Sequence, residues 1–196
     1  RLVERVMAQQ ARTGYIRQVW LKSRQIGHST LAQGLVFYRA VLWPNINAVV
    51  VAHDDGTAQT IFQKAHRFYE HLDPWLKPMK RYSNKQELLF ANPSEKDRVA
   101  VPGLNSRIVV ASARNIHSGA GGTFHLVHLS EAARYPKPEE IETSTLQAVS
   151  LSPGTSVVIE STARPEGHWF RAMCEQAQSG DSVYEFDFIG WHEDPT

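Results

Sequence analysis

Residues 22–30 read KSRQIGHST, and this stretch decides the fold of the chain. It follows a short apolar run, residues 19–21, and precedes a segment whose apolar residues recur at helical spacing. At such a strand-to-helix junction, free backbone N–H groups and the positive end of a helix dipole meet at one place, which attracts phosphate. The stretch therefore predicts a phosphate-binding loop. Its residues are Lys22, Ser23, Arg24, Gln25, Ile26, Gly27, His28, Ser29 and Thr30.

The loop departs from the usual motif in the position of its positive charge. The usual pattern, G-x-x-x-x-G-K-[ST], ends in a lysine that reaches the phosphates and a hydroxyl that binds Mg²⁺. Gly27 and Ser29 are in register with it, but His28 stands at the lysine position and Lys22 at that of the first glycine. Because histidine is a weaker cation at neutral pH, we expect Lys22 to contact the γ-phosphate and Ser29 to bind Mg²⁺. The alternative is an ordinary turn in which Ser29 caps the helix.

A second motif ends another apolar strand. Residues 124–131 read FHLVHLSE, and ATP-hydrolysing proteins with such a loop carry a Mg²⁺-binding aspartate at the end of a strand of this kind. Ser130 stands at that position and can reach the metal only through water. We therefore predict that Glu131 polarises the attacking water and that Mg²⁺ is held mainly by Ser29, the nucleotide and water. The alternative is a strand that ends in a helix-capping serine.

A third strand-like run, residues 156–160, ends in Ser161, Thr162 and Ala163. In translocating ATPases a hydroxyl pair at such a strand end senses the γ-phosphate and couples hydrolysis to motion. The signal is weak by itself, because strand ends often carry serine or threonine. Its position after the other two motifs favours a coupling motif at residues 161–163.

The remaining sequence alternates strand-like runs with helical stripes. The predicted strands are residues 17–21, 48–52, 107–111, 124–129 and 156–160. Helical stripes begin near His28, Ala58 and Trp169. Residues 87–90 and 98–101 are predicted to form a hairpin at the sheet edge. This order indicates a doubly wound, mainly parallel α/β fold with an edge hairpin insertion, and such folds bind ligands at the carboxyl ends of their strands.

Composition restricts the classes of protein that fit. The 196 residues suffice for one domain, 1–196, and no apolar run approaches the ~20 residues of a membrane span, so no membrane association is expected. The formal net charge of +1 does not mark a general nucleic-acid binder. The single cysteine, Cys174, excludes an internal disulfide and fits a reducing cytosol.

Taken together, the motifs resemble those of the ATPase domain of tailed-bacteriophage large terminase subunits. The shared pattern is K-x-R-Q-x-G-x-S-T, then an apolar strand ending in S-E-A-A-R-Y-P, then one ending in E-S-T-A. The resemblance implies a P-loop NTPase fold of the ASCE/RecA-like type with ATP and Mg²⁺ as cofactors. It also implies ATP-driven translocation of double-stranded DNA into a procapsid, in the host-cell cytoplasm. The implied partners are DNA, a portal protein, a small terminase subunit and further copies in a ring, and a C-terminal nuclease domain is expected in the full-length protein.

The resemblance also assigns roles to single residues. Arg24 resembles an arginine that acts in cis on the γ-phosphate, and Lys22 and Glu131 complete the catalytic set. Ser130 departs from the family's aspartate. Some members carry a trans-acting arginine finger before the acid pair, where this chain has a glycine-rich run at residues 119–122. Arg114 is the candidate finger, and the alternative is a solvated loop arginine.

Two other functions stay open. One is the lobe of a superfamily-2-like helicase or DNA translocase, which would normally carry an intact G-K-[ST] and a D-E-x-H acid pair. The other is a nucleotide-binding module that does not hydrolyse its ligand, in which His28 and Ser130 mark the lost activity.

Overall fold

The computed structural model describes residues 1–24, 27–84, 86–115, 123–165 and 167–190. The strands in these ranges are β1 (Ile16–Lys22), β2 (Asn47–Ala52), β3 (Tyr82–Ser83), β4 (Glu87–Phe90), β5 (Ser106–Ser112), β6 (Leu126–Ser130), β7 (Ser156–Ser161) and β8 (Glu185–Ile189). The α-helices are α1 (Leu2–Thr13), α2 (His28–Leu42), α3 (Asp55–Glu70), α4 (Pro138–Ile141) and α5 (His168–Ser179). Short helical turns lie at Pro74–Leu76, Ala132–Arg134 and Glu142–Leu146. No helix in the described ranges is long and apolar enough to cross a bilayer.

The strands form one sheet in the order β3-β4-β5-β2-β6-β7-β1-β8. In this order, every neighbouring pair from β5 through β2, β6, β7 and β1 to β8 is parallel. Strand β4 pairs antiparallel with both of its neighbours, β3 and β5. The predicted doubly wound, mainly parallel fold is confirmed. The central strands are buried along nearly their whole length, as expected for parallel strands covered by helices on both faces.

The predicted edge hairpin is half right. Glu87–Phe90 is a strand, but it pairs with Tyr82–Ser83 and not with residues 98–101, which lie in a series of turns. The Asn92 side chain explains this, because its amide donates to the Val101 carbonyl at 2.8 Å and its oxygen accepts from the Ser94 N–H at 2.9 Å. Such local side-chain bonds offer the backbone an alternative to a strand ladder.

Helices cover both faces of the sheet. Trp20 of β1 packs with Ala32 of α2 on one face, whereas its neighbour Val19 packs with Phe170 of α5 on the other. Side chains along a strand alternate between the faces. The alternation therefore decides which residues at the strand ends face α2.

Helix α2 begins where the sequence predicts. Gly27 precedes it with φ of 78°, a left-handed conformation that favours glycine, and its carbonyl accepts from the N–H groups of Thr30 and Leu31 at 2.9 and 3.0 Å. The amino end of α2 is thus fixed against the carboxyl edge of the sheet, next to the end of β1.

Candidate nucleotide-binding site

The three sequence motifs meet at one edge of the sheet. Strands β6, β7 and β1 are neighbours, with Ser130 beside Glu160 and Glu160 beside Trp20 in the register. Because the strands are parallel, their carboxyl ends lie together. Lys22 is two residues after Trp20 and shares its face, and Ser130 and Glu160 also face α2.

The Lys22 ammonium group lies at the centre of this edge. Its Nζ is 2.8 Å from Glu160 Oε2, and the two side chains are only 8% and 0% exposed. It donates to Ser29 Oγ at 3.0 Å and lies 3.5 Å from Glu131 Oε1. The lysine at the start of the loop thus contacts the hydroxyl near its end.

Glu160 is a site residue that the sequence motifs did not single out. Its Oε1 accepts hydrogen bonds from Ser29 Oγ and Ser130 Oγ, each at 2.7 Å, and lies 3.4 Å from His128 Nε2. Burial raises the pKa of Glu160, but the hydrogen bond from His128 and the charges of His128 and Lys22 outweigh it and lower the pKa to about 2. Glu160 is therefore an ionised carboxylate at neutral pH. A glutamate inside the buried run VVIEST was the available signal, since buried acids are rare unless paired.

Glu131 is the second carboxylate beside Lys22. Its backbone is left-handed, with φ of 57°, and its side chain is 20% exposed. Oε2 accepts from Thr162 Oγ1 at 3.5 Å and is 3.7 Å from Arg134 Nε. Strained positions of this kind in residues other than glycine cluster at functional sites.

The two hydroxyl side chains of the predicted coupling motif contact different partners. Thr162 contacts Glu131, whereas Ser161 is fully buried on the opposite face and accepts from the Ala133 N–H at 3.2 Å. Ser161 thereby fixes the turn that follows Glu131. Both residues are thus connected to Glu131, one through its side chain and one through the backbone beside it.

Further cations border the loop. Lys64 of α3 donates to Thr30 Oγ1 at 2.9 Å, a contact that the sequence motifs did not indicate. Burial lowers the pKa of Lys64, the charge of Glu160 raises it and that of Lys22 lowers it. Arg24 is exposed at the start of the loop. The positive charge near the predicted phosphate position therefore comes from α3 as well as from β1.

Ser23 and His28 are the other predicted loop residues whose surroundings the structure describes. Ser23 Oγ is buried without a hydrogen-bond partner in the part of the chain that the structure describes. His28 begins α2 and makes an edge contact with Trp20, with ring centroids 6.2 Å apart. Gln25 and Ile26 lie outside the described residues. Ser23 thus leaves a buried hydroxyl available at the loop.

Arg114 is placed at the same edge of the sheet but farther along it. It is exposed, just after β5. Ser112 at the end of β5 is opposite Ala52 at the end of β2, so Arg114 lies near the end of β2. Hydrogen bonding from the Thr57 N–H lowers the pKa of Asp54, and the charges of His53 and Arg114 lower it further. The glycine run at 119–122 falls outside the described residues.

Known proteins resemble this chain in structure, whereas sequence comparison finds no match. No protein-family model matches the chain, and no curated protein matches it. The ATPase domain of the Thermus phage P74-26 large terminase superposes with a TM-score of 0.65 at 16% identity, over 92% of this chain and 79% of that one. The fold is that of phage terminase ATPase domains.

Other solved terminase structures superpose on this chain equally well. The HK97 bacteriophage large terminase superposes with a TM-score of 0.68 at 17% identity, over 93% of this chain and 36% of that one. The large terminase of a thermophilic bacteriophage, in complex with ATP-γ-S, gives 0.65 at 10% identity, over 92% of this chain and 41% of that one. The predicted resemblance to terminase ATPase domains and the P-loop NTPase fold are confirmed, and this chain spans less than half of those longer terminases.

The terminase fold implies Mg²⁺ beside the nucleotide, and the side chains here fit that ion. Mg²⁺ prefers oxygen ligands and usually keeps several waters and phosphate oxygens. Ser29 and Ser130 hydroxyls converge on the Glu160 carboxylate. In the described ranges no group of three or more His, Cys, Asp or Glu side chains could hold a metal alone. The site therefore suits an ion that arrives with a phosphate ligand.

Proposed function

We propose that the chain binds ATP at the carboxyl edge of β1, β7 and β6 and hydrolyses it. The observation that carries this proposal is the convergence of Lys22, Ser29 and Glu131, with Lys22 Nζ 3.0 Å from Ser29 Oγ and 3.5 Å from Glu131 Oε1. A cation for the terminal phosphate, a hydroxyl for the metal and a carboxylate for water are the parts that P-loop hydrolases use. They meet here on a terminase ATPase fold.

Several loop residues have a role in this proposal. Backbone N–H groups at the amino end of α2 would surround the phosphates, and Lys22 and Arg24 would contact the γ-phosphate. Mg²⁺, bound to Ser29 and through water to Ser130, would neutralise phosphate charge. Glu131 orients and polarises the attacking water.

Three further residues connect the site to its surroundings. Thr162 is bonded to Glu131, so a change at the γ-phosphate that moves Glu131 also reaches the end of β7. Ser161 fixes the following turn from the other face. Arg114, exposed at the same edge, is the candidate for a finger that acts on a neighbouring copy.

The wider role follows from the fold's neighbours. We infer that the domain powers translocation of double-stranded viral DNA into a procapsid in the host-cell cytoplasm. Its partners would be DNA, a portal protein, a small terminase subunit and further copies in a ring, and a nuclease domain would follow in the full-length protein. Support comes from the terminase ATPase fold and from the coupling residues beside Glu131.

Nucleotide binding and phosphate release by the purified chain test the enzymatic part. Wild type and Glu140→Gln, an exposed control carboxylate, are expected to bind and hydrolyse ATP, whereas Glu131→Gln should bind ATP without turnover. Binding without release in wild type would favour the non-hydrolysing module, and no binding would refute the proposal. For the motor part, full-length protein should package DNA into procapsids, and Glu131→Gln should not. Duplex unwinding in place of packaging would favour the helicase alternative.

A further inference from the structure

A carboxylate stands beside the position at which Ser130 replaces the expected aspartate. Glu160 comes from β7, the strand next to β6, and is directly opposite Ser130 in the register. Its Oε1 is 2.7 Å from Ser130 Oγ and 2.7 Å from Ser29 Oγ, the hydroxyl proposed to bind the metal. The negative charge that is missing from the end of β6 is therefore present one strand away.

The buried Glu160 carboxylate is paired with two groups that can carry positive charge. Lys22 Nζ lies 2.8 Å from Oε2, and His128 Nε2 lies 3.4 Å from Oε1. A buried charge that loses its partner is strongly destabilising. If Lys22 turns to the terminal phosphate, Glu160 loses its 2.8 Å partner at Oε2, and a cation beside Ser29 would compensate for that loss.

We propose that Glu160 supplies the carboxylate that Ser130 lacks, and that it exchanges Lys22 for the Mg²⁺ that arrives with ATP. Ser29 and Glu160 would then hold the ion, directly or through water, and Ser130 would position the Glu160 carboxylate. This inference rests on the proposed ATP-binding function. It assigns the metal-holding role to a residue of β7 rather than of β6.

The contacts separate the roles of the two glutamates. Glu160 is fully buried and accepts from both hydroxyls at the proposed metal position. Glu131 is partly exposed and bonded to Thr162, so it faces the side from which water can approach. Glu160 is therefore the carboxylate suited to bind the metal, and Glu131 is the one suited to polarise the attacking water.

The test measures metal binding and does not depend on turnover. Mn²⁺, which is detected by electron paramagnetic resonance, replaces Mg²⁺, and ADP and ATP-γ-S serve as nucleotides with the 196-residue chain. Glu160→Gln should raise the dissociation constant of Mn²⁺ in the presence of nucleotide by about 10–100-fold. Nucleotide binding in EDTA, followed with a fluorescent ATP analogue, should be retained, because Lys22 is still present.

Two further variants sharpen the test. Ser130→Asp combined with Glu160→Gln returns a carboxylate to the end of β6 and should recover much of the Mn²⁺ affinity. Glu160→Asp keeps the charge but withdraws it by one methylene, so its affinity should lie between those of wild type and Glu160→Gln. Glu131→Gln is the control, which should lose hydrolysis while Mn²⁺ binding stays close to that of wild type.

The outcomes separate this inference from the proposed function. Unchanged Mn²⁺ affinity in a folded Glu160→Gln variant that binds nucleotide would overturn the inference alone. Wild type that binds no nucleotide would overturn both. If Glu160→Gln does not fold, Glu160→Asp and the double variant decide: weakened binding in the former and recovery in the latter support the inference, and wild-type affinity in Glu160→Asp contradicts it.

Discussion

Lys22→Met should destabilise the chain, because it removes the cation paired with the buried Glu160 carboxylate. It removes the ammonium group but keeps an apolar stem of similar length, so Glu160 loses its 2.8 Å partner while buried. Coulomb's law gives an attraction of about 6 kcal/mol at 2.8 Å for an effective dielectric constant of about 20, before desolvation is subtracted. Removing one partner of a buried pair typically costs about 3–5 kcal/mol.

We expect the lower end of that range. Ser29 and Ser130 still donate to Glu160 after the substitution, which stabilises the remaining charge. Lys22→Met should therefore lower the free energy of unfolding by about 3 kcal/mol at pH 7. Combining it with Glu160→Gln makes the pair neutral and should recover about 2 kcal/mol of the loss.

Urea unfolding of the chain without nucleotide, followed by circular dichroism, measures these values. The matched control is Arg171→Met, which breaks a pair with Glu175 of the same 2.8 Å length whose side chains are 77% and 61% exposed. Solvent screening should make that change nearly neutral. If Lys22→Met costs no more than Arg171→Met, or if the double variant recovers nothing, the buried pair is not a stabilising contact and the reasoning is wrong.

Three positions give further predictions. Gly27→Ala should destabilise the chain by about 1 kcal/mol, because φ of 78° is unfavourable for a residue with a Cβ even though space is available. Gly34→Ala, inside α2, should stabilise the chain by about 0.5–1 kcal/mol, because alanine favours helices more than glycine does. Urea unfolding that shows a change of the same sign for both variants would contradict this. Burial, with a smaller effect of Glu175, raises the pKa of Cys174 from 9.0 to about 12. The thiol should therefore react slowly with disulfide reagents near pH 8 until the chain unfolds. Between pH 9.0 and about 12 the thiol ionises in the unfolded chain but not in the folded one, so the free energy of unfolding should fall over this range. Cys174→Ala should not show this fall. Rapid labelling of the folded chain would refute the assignment.

Much of the fold could be predicted from the sequence because its signals are local. Continuous apolar runs marked the buried parallel strands, and helical periodicity marked α2, α3 and α5. The hairpin failed at residues 98–101, where Asn92 bonds to the backbone and replaces strand pairing. Such a bond depends on where one side chain turns, which periodicity does not report.

The site was predictable only as far as its motifs extend along the chain. Lys22, Ser29 and Glu131 stand in recognisable patterns, and the structure brings them together. Glu160 and Lys64 reach the loop because β7 lies between β6 and β1 and because α3 packs beside α2. Strand order and helix packing are long-range properties, so neither contact could be read from spacing.

A crystal structure of the chain with ATP-γ-S and Mg²⁺ tests the central claim most directly. The account predicts that Lys22 Nζ lies about 3 Å from an oxygen of the terminal phosphate and has left Glu160. A nucleotide bound at the loop with Lys22 still paired to Glu160, or a nucleotide bound elsewhere, would contradict it.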